Sequence, residues 1–302
     1  MNRGRAMDDL DTRLLVDLLR DRIRPNRSLG QHFLIDDAVI SRSVDIASRA
    51  SPLDTDSHVL EIGPGSGSLT LALLRTGARV TAFEVDDESV DHLQRVFGDA
   101  EGRLDLQQAD ALEAVWPADV THIVANLPYQ ISSPVLERIQ RHHAEHPMAV
   151  VVLLLQEEFA DRMAIGRDRA ALSPLGLSLW LDFEVELDAK VPPHSFSPSP
   201  RVSSRLTSMR PVDREPGIDR RMFRTVTQHC FANRRRKLRT LLSKPPSRIG
   251  RIKGWHKQRW SEAVNTVIQA SPEGFPEGWL DLRPENLETS QWVSLVDAIS
   301  SN

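Results

Sequence analysis

The stretch His58-Val59-Leu60-Glu61-Ile62-Gly63-Pro64-Gly65-Ser66-Gly67 decides the fold. Its first half is apolar and reads as a buried strand. Its second half is a glycine-rich turn. Gly63, Gly65 and Gly67 form G-x-G-x-G, not the G-x-G-x-x-G of dinucleotide folds. Glycine lets the backbone turn tightly and approach a ligand with no Cβ in the way, and Pro64 stiffens the turn. Strand and helix patterns alternate from His58 onward. Strands are expected at His58–Ile62, Arg79–Val85, Leu104–Gln107, His122–Ala125, Met148–Leu155, Glu184–Val191 and Arg205–Met209. That alternation predicts an α/β fold, a parallel sheet with helices on both faces. Upstream, Leu10, Leu14, Leu15, Leu18 and Leu19 share one side of a helix, and a second helix is expected over Asp37 to Ala50. After Pro211 the chain shows helix-like segments and no convincing strand. The expected division is residues 1–211 as the α/β domain and 212–302 as a smaller helical domain.

The turn gains meaning from Glu84, at the end of the next strand. A carboxylate there can accept both ribose hydroxyls of an adenosine-containing cofactor. No Lys or Arg sits in the loop to meet a pyrophosphate, which favours S-adenosylmethionine over NAD. A solvated strand-end carboxylate, beside Asp86 and Asp87, is the plainer reading. Asp110 ends the third strand and could accept from the cofactor's adenine; it could equally cap the following helix.

After the fourth strand comes Asn126-Leu127-Pro128-Tyr129. An adenine N6 is a poor nucleophile, because its lone pair is delocalised into the ring. Two acceptors, the Asn side-chain oxygen and a backbone carbonyl beside the Pro, can hold both N–H bonds and push the nitrogen towards tetrahedral geometry. Tyr129 offers a flat face for an unstacked base. The tetrapeptide suggests a methyltransferase acting on an exocyclic amino group. Taken alone, it also reads as a strand followed by a proline turn.

Composition narrows the classes. At 302 residues, 40% hydrophobic and 26% charged, the chain is ordinary for a soluble globular protein. Its longest apolar run, Met148 to Leu155, is too short to span a membrane. The N-terminus shows no signal-peptide core. One cysteine, Cys230, excludes an internal disulfide and a multi-cysteine zinc site, and a cytoplasmic setting is expected. His142, His143 and His146 invite a metal reading, but no carboxylate-rich stretch accompanies them, and no metal is expected. The formal net charge of −4 does not advertise a nucleic-acid partner, so RNA contact must rest on local clusters. Arg22, Arg24 and Arg27 form one. Arg234, Arg235, Arg236, Lys237 and Arg239, five basic residues in six positions, form another on an expected helix, followed by Lys244, Arg248, Arg251 and Lys253. A solvated helix face would look similar.

Together these segments resemble the KsgA family of ribosomal RNA adenine dimethyltransferases. The resemblance runs through Leu29-Gly30-Gln31-His32-Phe33-Leu34, Glu61 to Gly65, Phe83 to Asp86, Gln108 to Ala111 and Asn126 to Pro134. It continues through Gln156 to Glu158, Pro192 to Ser204, Phe231 to Leu238 and Arg283 to Leu287. It implies a Rossmann-like S-adenosylmethionine-dependent methyltransferase domain with a helical, RNA-binding C-terminal domain. It implies N6,N6-dimethylation of two adjacent adenosines near the 3′ end of small-subunit rRNA, within an immature 30S-type subunit, by a monomer. His32, Leu34, Gly63, Gly65, Glu84, Asp110 and Asn126 would line the cofactor site. Asn126, the Leu127 or Pro128 carbonyl and Tyr129 would hold the adenine, and Phe196 would close over its other face. Rival readings are a large-subunit rRNA methyltransferase of the antibiotic-resistance type, a non-catalytic RNA-binding factor on the same fold, and a DNA or small-molecule methyltransferase. Three positions depart from the family pattern: His32 where Asn is usual, Ser203 where Asp is common, and Pro174-Leu175-Gly176 in place of Tyr-Gly. They are expected in the cofactor lid and target-side loops.

Overall fold

The computed structural model describes residues 7–21, 30–165, 172–272 and 274–302. The basic stretch with Arg22, Arg24 and Arg27, and Ser28-Leu29 after it, lie outside them. The chain divides into two compact units. One comprises Met1–Asp161 and Glu184–Pro211; the other comprises Arg162–Phe183 and Val212–Asn302.

In the first unit α1 (Thr12–Arg20), β1 (Phe33–Leu34) and α2 (Asp37–Ala50) lead into the alternating pattern. It runs β2 (His58–Ile62), α3 (Ser68–Arg75), β3 (Arg79–Glu84), α4 (Asp87–Phe97), β4 (Leu104–Gln108), β5 (His122–Asn126), α5 (Ser132–Glu145), β6 (Val150–Gln156) and α6 (Glu157–Asp161). After the intervening α7 (Pro174–Asp182), it ends with β7 (Phe183–Val191), β8 (Phe196–Ser197) and β9 (Ser204–Pro211). Aspartates open the helices where the pattern demands caps: Asp11 accepts from the Leu14 amide, Asp36 from Ala38 and Val39, and Asp86 from Ser89.

Seven strands form one sheet in the order β4-β3-β2-β5-β6-β9-β7. The β4, β3, β2, β5 and β6 neighbours are parallel, and β9 runs antiparallel to β6. All seven strands expected from the sequence are present. The central strand β2 is buried along its whole length, as a parallel strand covered on both faces must be. β2 pairs with β5 although β3 and β4 come between them in the chain. The order reverses there, and a crevice opens at the strands' carboxyl ends, the place where open α/β sheets bind ligands. Gly63 follows the end of β2, and Asn126 closes β5.

The second unit is helical: α7, α8 (Arg220–Phe231), α9 (Leu238–Leu242), α10 (Lys257–Ala270) and α11 (Thr289–Ser300). Its core is built round four tryptophans, Trp255, Trp260, Trp279 and Trp292. The Trp260 indole N–H donates to the Leu242 carbonyl at 3.0 Å, so this buried donor is satisfied. Residues 162–183, which the sequence reading assigned to the first domain, belong here. The reason is α7, whose Leu177 and Leu181 are buried in the same cluster as Met222, Phe223 and Val226 of α8. Pro174-Leu175-Gly176 is the first turn of α7. Ser173 caps it by accepting from the Gly176 amide at 2.9 Å. A Cβ on Gly176 would come within 3.0 Å of the Arg162 carbonyl oxygen, so glycine is what that close approach allows.

The arginine run is also placed differently from expectation. Arg234, Arg235 and Arg236 lie in turns between α8 and α9, and only Arg239 of the five is helical. The Arg236 amide donates to the Asn233 carbonyl at 2.8 Å, which bends the chain so that Leu238 enters the core.

Candidate active site

A cavity of ≈ 890 Å³, including its open mouth, lies at the crevice. Three segments wall it: residues 61–69 after and within the end of β2, residues 83–85 at the end of β3, and residues 109–111 after β4. Asn126, Leu127, Pro128 and Tyr129 close it on one side, and Gly30 to Leu34 on another. Of the residues singled out in the sequence, His32, Leu34, Gly63, Gly65, Glu84, Asp110, Asn126, Leu127, Pro128 and Tyr129 all meet here.

The glycines answer to geometry. Gly63, Gly65 and Gly67 have φ of 71°, 55° and 81°. A Cβ on Gly65 would stand 2.9 Å from the Phe33 ring. The loop is held by Glu84, whose carboxylate accepts from the amide of Gly65 at 3.1 Å, of Val85 at 2.9 Å and of Asp86 at 3.1 Å. Burial pushes the Glu84 carboxyl up from its ordinary range, and those three donors pull it part of the way back.

Glu61, which the sequence reading quoted but gave no role, also lines the cavity and is 1% exposed. Burial pushes its carboxyl up to about 8, against the donated hydrogen bond from the Thr70 hydroxyl at 2.7 Å, and Glu84 adds repulsion. The signal was available: an acidic residue inside an all-apolar strand is seldom there without a task. A folded-state pKa above the unfolded value means that the native protein keeps a proton the unfolded chain has lost. This holds from the ordinary glutamate range up to about pH 8, so stability falls as pH rises through that window. Glu61→Gln is expected to flatten that fall. Thermal midpoints of both proteins at about pH 5 and about pH 8.5 test it, and parallel pH profiles would remove Glu61 as the cause.

At the other end, the Asn126 side-chain amide nitrogen donates to the His32 backbone carbonyl at 3.1 Å. This fixes which way the amide is turned and leaves Oδ1 as an acceptor. The Pro128 carbonyl accepts from the Ile131 amide at 3.1 Å as the chain enters the turn before α5. The Tyr129 hydroxyl and the buried Ser204 hydroxyl of β9 are 2.7 Å apart. The His32 ring, its Nδ1 2.7 Å from the Pro198 carbonyl oxygen, lies 6.0 Å from the Tyr129 ring with 29° between the planes.

Phe196, the ring expected to close over the base, lies on β8. It is 2% exposed, sits in the hydrophobic core and is absent from the cavity wall. Phe196 pairs across a two-stranded ladder with Leu34 of β1, which itself lines the cavity. The ring that faces Tyr129 is that of His32.

The residues present suit S-adenosylmethionine. A glycine cradle and a strand-end carboxylate are in place, and among the described residues no Lys or Arg lines the cavity to call for a phosphate. Residues 22–251 match the family model described as ribosomal RNA adenine dimethylase. The chain belongs to the ribosomal RNA adenine dimethylase family. It is a methyltransferase, and S-adenosylmethionine is its methyl donor. A Methanopyrus kandleri protein named probable ribosomal RNA small subunit methyltransferase A is 35% identical over 92% of this chain and 94% of its own. A Synechococcus protein named ribosomal RNA small subunit methyltransferase A is 32% identical over 90% of this chain and 95% of its own. The solved structure of a Plasmodium falciparum dimethyladenosine transferase shares the fold, with a TM-score of 0.68 and 22% identity over 88% of this chain and 96% of that one.

In the second unit the basic run is partly neutralised. Arg234 pairs with Glu285 at 2.8 Å, and Asp281 takes Lys237 at 3.0 Å and also Arg239. Arg235 and Arg236 are exposed and form no ion pair among the described residues. Among those residues no cluster of three or more His, Cys, Asp or Glu could hold a metal, and no helix is long and apolar enough to cross a membrane.

Proposed function

We propose that this enzyme dimethylates N6 of two adjacent adenosines near the 3′ end of small-subunit rRNA. We place it as a cytoplasmic monomer acting on an immature 30S-type subunit. The observation that carries the reading is the meeting, on one cavity, of Glu84 and Asp110 with Asn126 to Tyr129. The small-subunit assignment draws support from relatives of that name along nearly the whole chain. It is favoured over the large-subunit alternative. A non-catalytic factor would have no use for an intact acceptor pair.

Glu84 would hold the ribose hydroxyls and Asp110 the cofactor's adenine amino group. The sulfonium of S-adenosylmethionine supplies an electrophilic methyl. The protein's part is to place the target nitrogen in line with it, and orientation accounts for much of the acceleration. Asn126 Oδ1 accepts one N6–H. Because the Pro128 carbonyl is engaged by Ile131, the Leu127 carbonyl is the better second acceptor. Tyr129, pinned at its hydroxyl by Ser204, offers the stacking face, and the base displaces or slides against the His32 ring. No protein base is required, since the cationic methylated amine loses its proton to water. Labelled methyl transfer to immature small subunits, compared with naked rRNA and large subunits, tests the substrate. Equal labelling of large subunits would overturn it.

RNA phosphates would meet Arg235 and Arg236, with the exposed Arg248, Arg251 and Lys253 near in sequence. Arg235→Glu with Arg236→Glu is expected to weaken RNA binding about tenfold or more at physiological salt and to reduce its salt slope by about two. Affinity for S-adenosylmethionine should stay the same. Unaltered RNA affinity and slope would make the run a solvated turn. Arg234 is a poorer probe, since its reversal also breaks the Glu285 pair.

A further inference from the structure

We propose that Arg138 is a positioning residue for the cofactor's adenine, acting from α5 through the turn of residues 109–116. The inference rests on the reading above, in which Asp110 meets the adenine amino group. Asp110 and Ala111 form that wall of the cavity, yet Asp110 is itself exposed and sits at the start of an irregular turn. Something must hold the turn for the wall to have a shape.

Hydrogen bonds from within the turn and from α5 hold it. The Asp110 carbonyl accepts from the Glu113 amide at 2.9 Å and the Ala114 amide at 2.8 Å, and the Asp110 carboxylate accepts from the Leu112 amide at 2.8 Å. Asp110 thus satisfies three successive N–H groups of the turn. The carbonyls of Ala111, Leu112 and Ala114 are instead met by side chains from outside the turn or at its end. The Trp116 indole N–H donates to the Ala111 carbonyl at 2.9 Å. Arg138 donates from one terminal nitrogen to Leu112 and from the other to Ala114. Its guanidinium lies over the Trp116 ring, 5.0 Å from the centroid. Trp116 is 6% exposed, so the platform beneath the guanidinium is fixed.

This arrangement needs arginine. Two carbonyls two residues apart are gripped at once by a planar fork, and the same plane stacks on an indole. Lysine, a point charge on a flexible stem, cannot do both. Burial and the neighbouring Arg141 push the Arg138 guanidinium down from its ordinary range, and the carboxylates of Glu113 and Asp110 offset part of that. The position on the helix matters too. α5 begins one turn after Tyr129, so the helix that follows the target-amine clamp is also the one that grips the adenine wall. Nothing in the sequence around Arg138 marks it, since Glu137-Arg138 on a helix reads as solvated charge.

The consequence is selectivity at the adenine amino group, not adhesion alone. The test uses the full chain and two probes, 5′-methylthioadenosine and 5′-methylthioinosine, which differ at that group. The wild type should bind the adenosine probe at least about tenfold more tightly, the worth of one hydrogen bond to a charged acceptor. In Arg138→Met the preference should drop below about threefold, and Arg138→Lys should not restore it. Should Arg138→Met not fold, Trp116→Phe is the second variant: it keeps an aromatic face but removes the N–H to Ala111, and it should give an intermediate ratio. A folded Arg138→Met that binds both probes more weakly while keeping the wild-type ratio would make Arg138 a packing residue and overturn the inference. Wild-type protein with no preference would overturn both the inference and the Asp110 assignment beneath it.

Discussion

Asn126→Ala is expected to slow single-turnover methyl transfer at least about a hundredfold, the scale of removing one positioned polar group from an active site. Two things are lost together. The Oδ1 acceptor disappears, and so does the amide donor to the His32 carbonyl, which anchors the segment Gly30 to Leu34 against the end of β5. A modest loss of S-adenosylmethionine affinity should therefore accompany the kinetic defect, because His32 and Leu34 share the cavity wall. RNA affinity should be unchanged. Asn126→Asp separates the two roles: it keeps an acceptor oxygen but cannot donate to His32, so its cofactor loss should match that of Asn126→Ala while its turnover lies between. Near-normal single-turnover transfer by Asn126→Ala on methyl-free small subunits would remove the amine-orienting role.

What the sequence made legible is what local pattern and spacing control. The inner strands β5 and β6 are largely apolar runs, and α2 follows its periodicity from Asp37 to Ala50. The strand-end carboxylate Glu84 and the turn after β5 are readable because a parallel sheet brings strand ends to one edge. What was not legible depends on partners remote in the chain. β1 and β8 are two residues each, too short for a pattern, and their pairing sets Phe196 opposite Leu34. The run from Arg234 to Arg236 has good helix propensity, but the need to bury Leu238 turns it. α7 is apolar nearly all round and fits either core by composition; only packing against α8 decides. Ser204 stands at the end of a stretch that carries the family pattern, but its contact with Tyr129, like those of Arg138 with Leu112 and Ala114, joins residues far apart in sequence.

Glu84→Gln is expected to weaken S-adenosylmethionine binding by about 1–3 kcal/mol, roughly 5- to 150-fold, in a protein that remains folded. The structure makes glutamine, not alanine, the informative replacement. Glu84 is not a spare strand-end carboxylate. Three backbone N–H groups point into it, from Gly65, Val85 and Asp86, so alanine would orphan them and loosen the glycine turn as well as remove the ribose acceptor. Glutamine keeps one oxygen, enough for the adjacent Val85 and Asp86 amides that share Oε1, and fails only at the Gly65 side and in charge. Its effect on binding therefore reports the loss of a charged ribose acceptor plus one loop contact. Alanine should bind still more weakly and unfold at a lower temperature. Calorimetric titration of the two variants, beside a thermal melt of each, distinguishes these contributions. Full cofactor affinity in Glu84→Gln would reassign Glu84 as a brace for the turn alone. The wild type should also show no affinity for NAD, because a pyrophosphate would enter a cavity lined by the Glu84 carboxyl, with no Lys or Arg among the described residues on its wall to receive it.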